Sequence, residues 1–178
     1  SAAASDVYKR QVLVDGHEIV GKKIDLKFVD KFDDVNFDGK TKFFLDISKG
    51  TNRSYVKKQV CAESGKSVLE ATEIALSLAK ENKIHAINFA PMNKASLIQG
   101  GCEFNDEHEL FQNRLNVKDF CCEFNVVDNF WTARVTSHIP IKEVAQNITK
   151  ENILKPIKLL NKTLKMSGIA NPRIAVQA

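Results

Sequence analysis

The feature that most constrains this chain is a short apolar run that ends at a proline. The run covers Lys83 to Ala90, and Pro91 follows it directly. It is too short and too apolar for an amphipathic helix, so it predicts a buried strand. Because proline has no amide hydrogen and cannot continue a central ladder, the strand must end there. Asn93 and Lys94 are therefore expected at the carboxyl end of a strand, where α/β enzymes place their working groups.

A helix is predicted immediately before this strand. Ser67 and Glu70 have the spacing of a capping box, and an apolar stripe continues to about Asn82. A helix followed by a buried strand is half of a βαβ unit. The sequence therefore predicts an α/β fold, with a mostly parallel sheet and flanking helices. The residues of the stripe are Val68, Ala71, Ala75 and Leu78.

Upstream of this helix the pattern predicts strands. They cover Val12–Val14 before an Asp15-Gly16 turn signal, the alternating residues Ile24 to Phe28, and the apolar run Lys42–Ile47.

Downstream, the local signals predict an antiparallel hairpin and several helices. The run Glu103 to Phe111 is expected to be a loop and the start of a helix with acidic residues in its first turn. The hairpin strands are Phe120–Val127 and Phe130–Ser137, and a short helix follows over Ile141–Ile148. A longer helix is expected to begin after Thr149 and to stop at Gly168. The beginning of a last strand is expected over Arg173–Val176.

Composition excludes several classes of function. The net charge of +4 is spread along the chain, and no basic run is interleaved with aromatic residues, so nucleic acid is not an expected partner. No apolar run approaches the roughly 20 residues of a membrane helix, and no signal peptide is visible. The four cysteines form no Cys-x-x-Cys pair, which indicates reduced thiols in a cytoplasmic protein.

Two residues could carry chemistry. Lys94 could hold a substrate carboxylate or phosphate or stabilise an oxyanion, although a solvated lysine that opens a helix is the simpler interpretation from the residues alone. His138 follows strand-like residues and precedes Ile139-Pro140, so an extended backbone is expected there. Imidazole nitrogen suits zinc and similar ions, but one histidine does not make a metal site.

Two segments of this sequence resemble the 4-hydroxythreonine-4-phosphate dehydrogenase family of pyridoxine biosynthesis, namely Asn93-Lys94 after the predicted strand and the run Thr136 to Pro140. The resemblance covers roughly Ser67 to Val176. The resemblance implies an incomplete fold of the isocitrate and isopropylmalate dehydrogenase type. It also implies that NAD and a divalent metal (zinc, magnesium or cobalt) support oxidation of a phosphorylated hydroxy acid, followed by loss of its carboxylate.

The same resemblance assigns roles to individual residues. Lys94 is expected to be catalytic and to neutralise substrate charge, Asn93 to bind the small phosphorylated substrate, and His138 to be the first of three histidine ligands to the metal. The two later histidines of the family do not occur in these 178 residues. The side chains of Lys94 and His138 are expected to open into one cleft. Family members are homodimers, so the full-length protein is expected to be one.

The chain departs from the family pattern at Glu107 and His108, which align with a His-Thr pair that contacts the substrate. Both are therefore expected to bind substrate but to alter its identity. No Gly-x-Gly-x-x-Gly is present, and the NAD-binding residues remain unassigned.

Two alternatives stay open. The first is a dehydrogenase for a four-carbon sugar-acid phosphate of the threonate or erythronate type. The second is a non-catalytic α/β module that binds an anion through Asn93 and Lys94.

The domain organisation is interpreted as a fragment. Residues 1–11 look like a non-native, adapter-like segment. Residues 12–178 are expected to form part of a dehydrogenase, with a first lobe over about 12–115 and the start of a second over 116–178. The fragment by itself is expected to be inactive.

Overall fold

The computed structural model of the chain describes residues 8–47 and 59–177. The fold is mixed α/β and consists of two compact units, 1–111 and 112–178. No helix in the described part of the chain is long and apolar enough to cross a membrane. The helices are α1 (Tyr8–Val20), α2 (Ala62–Lys80), α3 (Lys94–Gln99), α4 (Glu107–Arg114), α5 (Ile141–Asn147) and α6 (Lys150–Met166). The strands are β1 (Lys27–Val29), β2 (Phe43–Leu45), β3 (Phe124–Val127) and β4 (Phe130–Ala133).

The first described residues are helical, whereas the sequence predicts a strand there. Val12–Val14 lies inside α1, which begins within the segment set aside as non-native. The Asp15-Gly16 signal does not produce a turn, because one glycine inside a helix costs only about 1 kcal/mol relative to alanine. The helix instead ends at Val20, directly before Gly21, whose φ of 66° is the left-handed conformation that favours glycine.

β1 and β2 confirm the next two predicted strands in shortened form. They pair in parallel, with Lys27 opposite Phe43 and Val29 opposite Leu45. The amide of Asp46 donates to the carbonyl of Val29 at 2.9 Å and extends the ladder by one bond.

α2 begins at Ala62, earlier than the predicted start. Its N-cap is Cys61, which makes no side-chain cap hydrogen bond, and Ser67 lies buried inside the helix. The Ser67–Glu70 spacing is also the i, i+3 spacing of neighbours within a helix, which explains the error. The helix ends at Lys80, close to the predicted end near Asn82.

The strand predicted over Lys83–Ala90 is wrong, because this segment forms no ladder with any described residue. Arg173–Val176 also forms none. The described strands make two separate two-stranded sheets, one parallel and one antiparallel, instead of one mostly parallel sheet. Strand formation requires a neighbouring backbone to pair with, and hydrophobic periodicity does not reveal whether that neighbour is present.

The second unit follows the sequence prediction closely. β3 and β4 form the antiparallel hairpin, with Val127 opposite Phe130. α5 follows Pro140 as predicted. α6 begins after Thr149, whose hydroxyl accepts a hydrogen bond from the amide of Asn152 at 3.2 Å. It ends just before Gly168, which has a φ of 96°.

The close packing of α2 against α3 depends on glycine. A Cβ added to Gly65 would overlap the backbone carbonyl of Ser96, and a Cβ added to Gly100 would overlap the amide of Lys66. Leu76 of α2 and Leu97 of α3 are both buried. The two helices therefore approach at a distance that no larger residue permits, and this packing fixes the position of α3.

We predict that Gly65→Ala destabilises the protein by about 1–3 kcal/mol or more, because the added methyl group must displace backbone. Gly16→Ala is the matched control: it is also a helical glycine, but a Cβ there would meet nothing within 4 Å. Urea denaturation should show a lower midpoint for Gly65→Ala and an equal or higher one for Gly16→Ala. Equal midpoints for Gly65→Ala and the wild type would contradict the packing argument.

A second prediction concerns the turn at Asp38. Its carboxylate accepts hydrogen bonds from the Thr41 hydroxyl and amide, both at 2.6 Å, and from the Lys40 amide at 2.8 Å. These bonds, that of the Thr41 hydroxyl first, lower the pKa of Asp38 to about 2. The stabilisation is present above the unfolded pKa of about 4 and is lost as the pH falls towards 2.

Removing the Thr41 hydroxyl should therefore raise the pH at which the stabilisation by the Asp38 carboxylate is lost. We expect the NMR titration of the Asp38 carboxyl carbon to show a higher pKa in Thr41→Val. Thr132→Val, on β4 of the other unit, should leave that titration unchanged. An unchanged Asp38 pKa in Thr41→Val would show that the hydroxyl does not stabilise the carboxylate.

Candidate functional site

The candidate site lies at the start of α3, directly after Pro91. Asn93 is the N-cap of this helix, and its side-chain oxygen accepts a hydrogen bond from the amide of Ser96 at 2.9 Å. Asparagine is among the preferred N-cap residues because this bond satisfies an amide that has no partner within the helix. Since the oxygen is engaged, Asn93 would meet a substrate through its NH₂ group.

Lys94 is the first residue of α3. The simpler interpretation, that this lysine begins a helix, is therefore correct for its backbone. Its side chain is half-exposed and faces Glu107, with 4.0 Å between Nζ and Oε2. This distance is too long for a hydrogen bond. The structure therefore brings together two of the predicted site residues.

Glu107 is the partly buried member of this pair. Its side chain is 29% exposed, but Oε2 itself is buried and has no hydrogen-bond partner among the described residues. A buried carboxylate oxygen without a donor carries a desolvation cost, so it is a position where a ligand donor would be favourable. The small depression beside the pair has no room for a water molecule, and it is lined by Lys94, Leu97, Cys102, Phe104, Asn105, Asp106, Glu107 and Leu110.

The first turn of α4 holds Glu107 in place. The carboxylate of Asp106 accepts from the amide of Glu109 at 2.9 Å, and the carboxylate of Glu109 accepts from the amide of Asn105 at 3.1 Å. This reciprocal arrangement is similar to a capping box and confirms the predicted acidic first turn. Sequence reasoning did not assign Asn105, Asp106 and Cys102 to the site, although the Asp106–Glu109 spacing is a recognisable helix-start signal.

His108 is half-buried in the first turn of α4, next to Glu107. It does not belong to the residues that line the depression around Lys94. The structure therefore brings Lys94 and Glu107 together, with Asn93 next to Lys94 in the chain, and the roles of Asn93 and His108 in substrate binding stay predictions.

His138 is exposed and has a φ of 56°, so the extended backbone predicted for it is wrong. The proline at 140 directly restricts Ile139 and not His138, and histidine is one of the few residues enriched in the left-handed region. Within 8–47 and 59–177, no group of three or more potential metal ligands occurs. Because His138 and Lys94 belong to different units, their predicted common cleft remains a prediction.

The cysteines agree with the prediction of reduced thiols. None of the four is in a disulfide, and all four are half-buried. Burial raises the pKa of Cys121, and burial together with the neighbouring Cys121 raises the pKa of Cys122. Both thiols therefore stay protonated and weakly nucleophilic near neutral pH.

Curated proteins resemble this chain over most of its length. A Pasteurella multocida protein provisionally named 4-hydroxythreonine-4-phosphate dehydrogenase is 43% identical over 120 residues, which is 67% of this chain and 36% of that protein. A Pseudomonas aeruginosa protein with the same provisional name is 33% identical over 90% of this chain and 48% of its own length. An Oceanobacillus iheyensis protein provisionally named D-threonate 4-phosphate dehydrogenase is 32% identical over 80% of this chain and 46% of its own length.

The fold also matches solved structures. A 4-hydroxythreonine-4-phosphate dehydrogenase from Burkholderia phymatum superposes with a TM-score of 0.70 at 25% identity, covering 88% of this chain and 47% of that one. The enzyme of the same name from Klebsiella pneumoniae gives a TM-score of 0.76 at 21% identity, covering 92% of this chain and 48% of that one. The chain thus spans about half the length or less of the relatives it matches. The family profile of the pyridoxal phosphate biosynthetic protein PdxA matches residues 7–178, and the chain belongs to this family.

Proposed function

We propose that the full-length protein carrying this chain is an NAD-dependent, metal-requiring dehydrogenase that oxidises a phosphorylated hydroxy acid, with loss of its carboxylate. The observation that carries the proposal is the Lys94–Glu107 pair, held at the starts of two helices within a member of the PdxA family. The names of the relatives support 4-hydroxythreonine 4-phosphate or D-threonate 4-phosphate as the substrate.

The chemistry of the site fits such a substrate. The Lys94 ammonium would neutralise negative charge on the substrate or stabilise an oxyanion as the hydroxyl is oxidised. The Asn93 NH₂ group would donate a hydrogen bond at the start of α3. Glu107, at the start of α4, is proposed as a further substrate contact. His108 is proposed as a neighbouring substrate contact.

His138 is proposed as one ligand of the divalent metal. Such an ion, when bound, would supply Lewis-acid polarisation of the substrate hydroxyl. The described residues do not surround His138 with further ligands, and about three protein ligands are usual for a catalytic site of the zinc type. The remaining ligands would therefore come from outside the described residues.

The other family properties are part of the same proposal. We expect a homodimeric, cytoplasmic enzyme with a place in pyridoxine biosynthesis and a completed fold of the isocitrate dehydrogenase type. A non-catalytic anion-binding module is the second candidate function. A positive result in the assay below would exclude it.

The first test is Lys94→Met in the full-length protein. We expect kcat/KM for NAD reduction with either phosphorylated acid to fall about 100-fold or more, because a donor to the developing charge is lost. Lys80→Met removes the same charge from the exposed end of α2 and should change kcat/KM less than about twofold. Lack of turnover by the wild type with both acids would refute the proposed function. Full activity of Lys94→Met would refute the site. The 178-residue chain alone should show no turnover.

The second test addresses the metal. Titration calorimetry of the full-length protein with zinc should show affinity weakened more than about tenfold in His138→Ala, because one ligand is lost. His85→Ala, in the exposed segment before Pro91, is the control and should bind zinc like the wild type. Equal zinc affinity of His138→Ala and the wild type would remove His138 from the metal site.

A further inference from the structure

The first unit contains an apolar groove that the proposed function does not use. The groove lies between α1 and α2, beside β2, and has a volume of about 770 Å³. Its apolar wall is formed by these three elements and the segment after α1, through Val12, Val20, Ile24, Phe44, Val68 and Ala71. None of the residues that line it belongs to α3 or α4, so it is separate from the Lys94–Glu107 pair.

The groove is bordered by one uncovered face of each helix. Val12 and Val20 recur at helical spacing on α1, and Val68 and Ala71 do so on α2. Val12 is 43% exposed, Val20 67% and Val68 40%. A Cβ added to Gly16, which also lines the groove, would meet nothing within 4 Å. A contiguous exposed patch of this kind marks an interaction site.

The sheet beside the groove also needs to be covered. β1 and β2 contain three residues each and pair in parallel. Parallel strands occur in sheets whose two faces are both covered, and an isolated pair of strands is marginally stable. Phe44 of β2 lines the groove, so one face of this sheet is turned towards it. The groove thus borders two helices and a sheet that would all gain from the same occupant.

We propose that this groove is the docking surface for an apolar segment of the same polypeptide that lies outside these 178 residues. The chain spans less than half the length of the relatives from Pasteurella multocida and Pseudomonas aeruginosa, so a protein of their size has chain available to fill it. The inference goes beyond the proposed function, because it concerns the assembly of the first unit and no step of the reaction.

A small molecule suits the groove less well than a polypeptide segment. Small-molecule sites combine apolar walls with a few polar groups aimed at the ligand. Here Nε2 of His17 already accepts from the amide of Ile24 at 3.3 Å, and the hydroxyl oxygen of Ser64 accepts from the Cys61 thiol at 3.0 Å. The groove therefore offers apolar area more than directed polar contacts, and apolar side chains fit that chemistry.

A second copy of the chain also suits the groove less well. Most dimers are symmetric, so the same surface of both subunits meets at the interface. Two grooves that face each other would leave both cavities unfilled, because a concave surface is not complementary to itself. A segment of the same polypeptide has no such restriction.

The test compares two valines on opposite sides of α1 in the full-length protein. Val12 and Val14 are 43% and 45% exposed, and of the two only Val12 lines the groove. We expect maleimide to label Val12→Cys at least about tenfold more slowly than Val14→Cys, because a docked residue reacts only through local opening. Peptide mapping by mass spectrometry separates the introduced thiol from the four native cysteines. Equal labelling rates would overturn the inference.

A charge at the same two positions gives an independent measurement. Val12→Asp would place a carboxylate in the docked interface, so the urea midpoint of the full-length protein should fall, whereas Val14→Asp should lower it much less. Equal midpoints for the two variants would contradict docking, because the positions are equally exposed without it. If Val12→Asp does not fold, the labelling rates still decide the question.

The other two occupants give distinct results, and each would overturn the inference. Protection of Val12→Cys that disappears on dilution would assign the groove to a second copy. Rapid labelling of Val12→Cys that slows when anilinonaphthalene sulfonate is added would assign it to a small amphiphile. Protection that does not depend on protein concentration supports a segment of the same polypeptide.

Discussion

The close approach of α2 and α3 is the contact on which the candidate site depends. Gly65 has no side chain, so the carbonyl of Ser96 can lie against the backbone of α2. The amide of Cys61 also donates to the Ser96 hydroxyl, at 3.3 Å, and joins the start of α2 to α3. Because α3 has only the residues Lys94–Gln99, these contacts rather than helix propensity determine its position. Lys94 is placed by packing that involves no charged group.

The site itself combines two helix starts. At α3 the orphan amide of Ser96 is satisfied by Asn93, and at α4 the amide of Glu109 is satisfied by Asp106. Both N-termini carry partial positive charge, which favours a carboxylate nearby. Glu107 is thus in a favourable electrostatic environment even though its Oε2 has no hydrogen-bond donor among the described residues. The arrangement leaves one carboxylate oxygen and one ammonium group facing each other across a short gap.

The elements that could be predicted from the sequence are those with local signals. Local residues mark the start of α5 at Pro140, the start of α6 at Thr149 and the turn of the β3–β4 hairpin at Asp128. The structure agrees with each of these predictions. Two of the predictions that failed depend on distant backbone. Lys83–Ala90 has the composition of a strand but pairs with no described residue. Ser67 was predicted to start α2 but lies inside it, because the helix begins earlier and includes Gly65, which packs against α3.

The candidate site was predictable to a similar extent. Asn93 and Lys94 were identified from the proline that precedes them, and Glu107 from its departure from a family pattern. The contact between Lys94 and Glu107 could not be predicted, because it depends on how two helices pack. The backbone of His138 was mispredicted, since the restriction that proline imposes does not extend beyond the adjacent residue.

The role of Asn93 as a helix cap restricts how this position can vary. Only asparagine, aspartate, serine and threonine cap a helix well, with glycine a weaker choice. Aspartate would add a carboxylate next to Lys94 in the chain, and serine or threonine would keep only a single hydroxyl hydrogen as a donor after capping the helix. Asparagine alone among these can hold the helix with its oxygen and still present an NH₂ group. A substitution at this position would therefore change the start of α3 and the proposed substrate contact together.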